Sequence, residues 1–304
     1  MGDKEKNVED ILKPGDIIKE KWIIVKMIGM GGFGQIYEAK YMKSGESAAV
    51  KVESSQYDKQ VLKMEAEVLQ KMKGKSKYIC KFFGCGRESK FNYIIMSLLG
   101  NNISALRKAT DSGYFSTSTA LRLGVQMLRA IRSLHDVGYL HRDVKPSNFA
   151  LGMGRHSRRL FIYDFGLARK FADDRGMLRP PRDTKCPFRG TLRYASLNAH
   201  NGQELGRHDD LWSFFYLMIE ITYGQLPWRS LREAERIKHA KMRFDHKRFF
   251  ELERVPKELK PFREYLESLD YYTKPNYDYL IGRLEFGMRE RKIDKSEPLD
   301  WERL

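Results

Sequence analysis

Cysteine is scarce in this sequence. Three occur in 304 residues, Cys80, Cys85 and Cys186, and neither their spacing nor a nearby His cluster completes a metal knuckle. A small, odd set is expected to stay as reduced thiols, which argues against a disulfide scaffold and for a cytoplasmic or nuclear setting. Long apolar runs are lacking as well. No uncharged stretch reaches the ~18 residues that span a bilayer, so no membrane partner is expected. Met1-Gly2-Asp3-Lys4-Glu5-Lys6 carries no apolar run, so a signal peptide is not expected, and Lys6 stands where a myristoylation motif needs Ser or Thr. Repeats and low-complexity tracts are missing too. With 41% apolar and 12% aromatic residues, disorder is excluded.

Positive charge is what the chain has in excess, a formal net charge of +16. That balance favours anionic partners such as acidic or phosphorylated protein. The basic residues are dispersed rather than massed among aromatics, so nucleic acid is not the expected partner. The length suggests two lobes rather than one core, and a monomer is the default.

Four stretches carry chemistry. Trp22 to Gly29 reads as a strand running into Gly29-Met30-Gly31-Gly32-Phe33-Gly34. A dinucleotide fold would open a helix at the last glycine and place an acid about twenty residues on, near Glu53. Gln35 to Ala39 alternates like a strand instead, and Ala48-Ala49-Val50-Lys51-Val52 is another. The glycines therefore form a hairpin tip whose N–H groups can meet phosphates. Lys51 ends that strand run. In the next segment Val61, Leu62, Met64, Val68, Leu69 and Met72 recur at helical spacing, with Glu65 beside the apolar face as the partner for Lys51 and Glu67 turned to solvent. Gly74-Lys75-Ser76 resembles the end of a Walker loop, but Leu69 stands where that loop needs glycine.

The third stretch is His141-Arg142-Asp143-Val144-Lys145-Pro146-Ser147-Asn148. It supplies a carboxylate to accept a hydroxyl proton, a cation to steady a moving phosphoryl group, and an amide oxygen for a divalent metal. The fourth, Asp164-Phe165-Gly166, follows the strand Leu160 to Tyr163 and offers a hard oxygen ligand. Between and after these lie a helix capped by Ser116 and ending by Gly138, and an almost wholly apolar helix from Asp210 to Thr222.

This ordered set resembles the protein kinase family throughout. The resemblance implies an α+β, bilobal fold: an arm over 1–20 and a catalytic domain over 21–304. Its N-lobe, a small antiparallel sheet with one helix, would cover about 21–97, and its larger helical C-lobe about 100–304. ATP and Mg²⁺ are the implied cofactors. Asp143 would be the catalytic base and Lys145 the γ-phosphate contact, while Asn148 and Asp164 would hold Mg²⁺. Lys51 with Glu65 would orient ATP under a loop of Ile28, Gly29, Met30, Gly31, Gly32, Phe33, Gly34, Gln35 and Ile36. Adenine would meet Ala49, Met96, Leu98 and Leu99.

Departures narrow the branch. Ser196-Leu197-Asn198-Ala199-His200 replaces the usual Ala-Pro-Glu, a mark of the casein kinase I group. Gly206-Arg207-His208-Asp209-Asp210-Leu211-Trp212-Ser213 and Pro298-Leu299-Asp300-Trp301-Glu302 look most like its tau–tubulin kinase branch. The group implies Ser/Thr substrates with acidic or phosphorylated flanks, cytoskeletal proteins among the candidates, read by a pocket of Arg142, Arg169, Arg189 and Arg193. Arg142 and Arg169 could equally brace the activation segment from within. His239 stands where the group's anion site takes Lys, and a flanking lysine, Lys238 or Lys241, is the expected substitute. Thr184 and Thr191 lie in the activation segment, Thr191 more in keeping with a structural role. A catalytically weak scaffold that binds ATP is the rival reading.

Overall fold

The computed structural model of the protein describes residues 9–31, 34–56, 60–252 and 254–303. Gly32 and Phe33, two of the expected phosphate-loop residues, lie outside the described residues. The chain forms two units, Met1–Lys73 with Cys80–Leu99, and Gly74–Ile79 with Gly100–Leu304.

The first unit is a curled antiparallel sheet with one helix. Its strands are β1 (Ile17–Ile18), β2 (Trp22–Gly31), β3 (Gly34–Tyr41), β4 (Ser47–Ser54), β5 (Phe82–Arg87) and β6 (Phe91–Ser97), in the order β1-β2-β3-β4-β6-β5. Gly31 pairs with Gly34, so the glycine run is a hairpin tip. Period-2 alternation gives the sheet two faces. Trp22, Ile24, Tyr37, Ala39, Val50, Val52 and Ile95 pack into one buried cluster. The register sets Ile36 opposite Lys51, Lys51 opposite Ile94 and Ala49 opposite Met96, so these share the other face.

Residues 9–20, expected as a loose arm, are built into this unit. Leu12 and Ile18 lie in the buried cluster, and the Ile11 amide donates to Gln35 Oε1 at 2.8 Å. Isolated apolar residues without a period hide such a segment from pattern reading. Glu53 has no dinucleotide role. Its Oε1 accepts from the amides of Val61 (2.7 Å) and Leu62 (3.3 Å) and so caps α1 (Leu62–Met72). Leu62, Glu65, Val68, Leu69 and Met72 are the helix's buried face, and Glu67 is exposed.

The second unit is mainly helical. Around α3 (Thr117–His135), α5 (Arg207–Tyr223) and α9 (Tyr277–Glu290) stand α2 (Ile103–Ala109), α4 (Leu197–His200), α6 (Ala234–Met242), α7 (His246–Phe250) and α8 (Leu259–Glu267). Ser116 Oγ accepts from the Thr119 amide at 3.2 Å and so caps α3. α5 is buried nearly all round and stops at Gly224, whose φ of 95° suits glycine. Short antiparallel pairs hold the loops between helices: β7 (Tyr139–Leu140) with β10 (Arg169–Lys170), and β8 (Phe149–Leu151) with β9 (Leu160–Ile162). Residues 74–79, expected in the first lobe, join this unit because the Ile162 amide donates to Tyr78 O at 2.9 Å.

The hairpin tip depends on glycine at one point. Gly34 has φ 137°, and an added Cβ would sit 2.0 Å from Val52 O, whereas one at Gly31 would meet nothing within 4 Å. Gly34→Ala is expected to cost about 1–3 kcal/mol, read as a lowered midpoint in thermal unfolding, with Gly31→Ala near wild type.

Candidate active site

In the first unit, β4 delivers Lys51 and α1 delivers Glu65 to a buried ion pair, Nζ to Oε2 at 2.6 Å. Such a pair is costly to break, because either charge left alone inside is uncompensated. Ile36, Ala49 and Met96 accompany Lys51 on that face, while Leu98 and Leu99 follow β6 half-buried. Ile28 and Met30 are exposed near the tip, and Gly29 pairs with Ile36. Gln35 departs from the expectation. Its side chain is buried on the opposite face, where Oε1 accepts from Ile11 N and Tyr37 OH and Nε2 donates to Glu9 O at 3.1 Å. The side chain ties down residues 9–11 instead of meeting a ligand.

In the second unit, the loop from His141 to Asn148 is held by one buried carboxylate. Asp210, in the first turn of α5, accepts from the amides of His141 (2.7 Å) and Arg142 (2.8 Å), and from His135 Nε2 at 2.8 Å. Burial alone would raise its pKa. The His135 hydrogen bond and the neighbouring histidine charges outweigh that and leave it below the usual carboxylate range. Two residues of this region adopt left-handed backbone, Arg142 at φ 63° and Asp164 at φ 67°. Non-glycine residues there cost energy and persist where their surroundings over-determine them.

Anchored in this way, the loop brings four groups together. Asp143 is 6% exposed. Its Oδ2 meets Lys145 Nζ at 2.6 Å, and its Oδ1 accepts from Thr191 Oγ1 at 2.7 Å. Lys145 Nζ also donates to Thr191 Oγ1 at 3.1 Å. Asn148 Nδ2 donates to Asp143 O (2.8 Å) and Oδ2 (3.2 Å). Thr191 thus has a structural task, as expected, whereas Thr184 is exposed. The donor set fits the implied cofactor: the Asn148 amide and the Asp164 carboxylate are the hard oxygen donors Mg²⁺ prefers, and buried Lys51 is a fixed cation for phosphate.

The four arginines expected to form an anion pocket are not all available. Arg142 braces the segment internally, Nε donating to Leu167 O at 2.7 Å and Nη2 to Ala168 O at 3.4 Å. Burial, with Arg169 and Arg189 nearby, lowers its pKa to about 10. Arg169 pairs with Glu204 at 2.8 Å, and Arg182 shares that carboxylate. Arg193 lies 3.5 Å from Glu220 and is half-exposed. Arg189 is exposed and has no carboxylate partner among the described residues.

Two residues that sequence reasoning missed hold the loop 191–196. Glu220, set alone in the apolar stretch that follows Asp210 in α5, accepts from Tyr194 OH, and that isolated charge was a readable signal. Lys241 does not stand in for His239 at an anion site, because it is buried. Its Nζ donates to Leu192 O (2.7 Å) and Ala195 O (2.6 Å) and lies 3.2 Å from His200 Nε2, over the rings of Tyr216 and Trp228. Trp228 Nε1 donates to Arg193 O between them, at 2.8 Å. Burial lowers Lys241 to about 7.

Comparison with known proteins points to one family. The family model for the protein kinase domain matches residues 22–278. A probable serine/threonine-protein kinase of Dictyostelium discoideum is 44% identical over 95% of this chain and 58% of its own length. The chain thus spans a little over half of that relative. Serine/threonine-protein kinase spe-6 of Caenorhabditis elegans is 35% identical over 93% of this chain and 76% of its own. A putative casein kinase I of the same organism is 34% identical over 95% and 85%. The chain belongs to the protein kinase family and forms an ATP-dependent serine/threonine kinase domain.

Lys241→Met keeps the side-chain volume and removes the donors. Relief of ammonium burial offsets part of the loss, so global stability is expected to move by less than about 2 kcal/mol. Amides of 192–196 should nevertheless exchange roughly tenfold faster, as hydrogen-exchange mass spectrometry would record.

Proposed function

We propose that this chain transfers the γ-phosphoryl group of Mg-ATP to Ser or Thr hydroxyls in acidic or already phosphorylated protein segments. The observation that carries the reading is the buried Asp143 carboxylate, set between the Lys145 ammonium and the Thr191 hydroxyl with Asn148 beside it. Asp143 accepts the proton of the attacking hydroxyl, and Lys145 balances negative charge as it moves off the transferred group. Asn148 and Asp164 hold the metal, and Lys51, fixed by Glu65, places the α- and β-phosphates. When bound, Mg-ATP supplies the phosphoryl group and the metal's charge. The residues contribute position and preplaced charge, which is most of what this reaction needs.

The loop 191–196, pinned from behind by Lys241, Trp228 and Glu220, receives the substrate segment. Arg189 and Arg193 are the cations that favour acidic or phosphorylated flanks. We place the chain in the casein kinase I group, nearest its tau–tubulin kinase branch, on Ser196 to His200 and Gly206 to Ser213. A monomer acting on cytoplasmic proteins, cytoskeletal ones among them, and with access to the nucleus, completes the proposal.

Labelled Mg-ATP and casein test the chemistry. Asp143→Asn should lower transfer by about 10²–10⁴-fold, with nucleotide binding retained. Nucleotide binding without transfer in folded wild type would instead leave a scaffold. On a Ser/Thr peptide array, wild type should favour acidic or phosphorylated flanks and Arg189→Glu should lose that bias; a preference for basic flanks would contradict the substrate assignment.

A further inference from the structure

The second unit carries a basic groove of about 350 Å³ that takes no part in the site above. Three elements build it. Arg122, Val125 and Arg129 come from α3, Arg155, Arg158 and Arg159 from the turn between β8 and β9, and Met288 from α9. Lys77 and Lys295 complete its rim.

Its cations are only partly neutralised from within. Arg129 pairs with Glu285 at 2.7 Å and Arg158 with Glu302 at 2.6 Å. Glu297, Glu302 and Asp294 act on Arg122 without pairing with it, and Glu297 accepts from Ser118 Oγ at 3.1 Å and from the Asp294 amide at 3.0 Å. Among the described residues, no carboxylate forms an ion pair with Lys77, Arg122, Arg155, Arg159 or Lys295. Arg122 is the telling member. It is 9% exposed and donates from Nη2 to Lys295 O at 2.7 Å, but its buried Nη1 has no hydrogen-bond partner. Burial, with Arg158 close by, lowers its pKa. The guanidinium charge is largely desolvated there, and an anion held in the groove would offset that cost.

We propose that this groove docks an acidic, phosphorylated segment of a protein partner, a phosphate meeting Arg122 and the turn arginines. Charge complementarity selects an anion, and planar guanidinium forks suit phosphate and carboxylate oxygens. Shape and lining select a peptide. The groove is concave, with Val125, Met288 and Leu299 as apolar floor, each at most 6% exposed. Its one aromatic, Tyr78, is buried at 7% exposure and offers no face for stacking bases. The inference is independent of which acceptor sites the kinase prefers.

The test uses the full chain and a fluorescein-labelled peptide of Asp, Glu and two phosphoserines, followed by anisotropy at fixed ionic strength. Arg155→Glu/Arg159→Glu changes an exposed and a half-buried residue that have no acidic partner among the described residues, so folding should survive, with transfer to a short unphosphorylated peptide as the check. Affinity is expected to fall roughly tenfold or more in this variant and less than about threefold in Arg189→Glu. Three results would overturn the proposal: no binding by wild type, equal binding by the double variant, or loss confined to Arg189→Glu. Tighter binding of a duplex RNA or of phosphatidylserine vesicles, lost in the same double variant, would overturn it in favour of those partners.

Discussion

A single buried carboxylate sets the geometry on which the active site relies. Asp210 is desolvated, and three N–H groups converge on it, from His135, His141 and Arg142. A buried charge is tolerated only when hydrogen-bonded in this way, and the reciprocal effect is to fix two consecutive backbone amides of the catalytic loop. With His141 and Arg142 fixed, Arg142 is held in left-handed backbone, and Asp143 follows in a position that the chain would not choose unaided. The apolar, nearly fully buried α5 supplies the rigidity: its first turn carries Asp210, and the rest is locked into the helical core.

The same helix reaches the activation segment through Glu220, and α6 reaches it through Lys241. Leu192 O, Arg193 O and Ala195 O each accept from a buried side chain, Lys241 or Trp228. A loop usually gives its carbonyls to water. Here they are spoken for from the inside, which leaves the Thr191 hydroxyl aligned with Asp143 and Lys145. Charge follows the same division of labour. Arg142 and Arg169 are consumed in bracing, while Arg189 stays outside with no acidic partner among the described residues.

Much of this was legible in the sequence because it rests on local periodicity. The alternation of Gln35 to Ala39 decided hairpin against dinucleotide fold, and helical spacing put Glu65 beside the buried face that meets Lys51. What stayed hidden depends on partners distant along the chain. Glu53 sits near the position a dinucleotide-binding acid would take, yet it caps a helix that starts nine residues later. Whether Arg169 faces solvent or a carboxylate rests on Glu204, 35 residues away. Lys241 lies in a short, charged helix with little apolar period, so no local pattern marks it as the buried residue that folding makes it. Gln35 directly follows the glycine motif, but strand alternation aims its side chain at the segment 9–11, whose docking no local pattern announces.

The most direct test of this account is the kinetics of Asp210→Asn, with kcat and KM for ATP measured separately on a sample whose melting temperature is also recorded. The side chain is nearly isosteric, but it exchanges a charged acceptor for a neutral amide that cannot accept as well from three donors. The account predicts a kcat lowered by about 10²-fold or more, KM for ATP near wild type, and a fold that still melts cooperatively. A variant that keeps wild-type kcat would contradict it, because the catalytic loop would then owe its geometry to something other than this carboxylate.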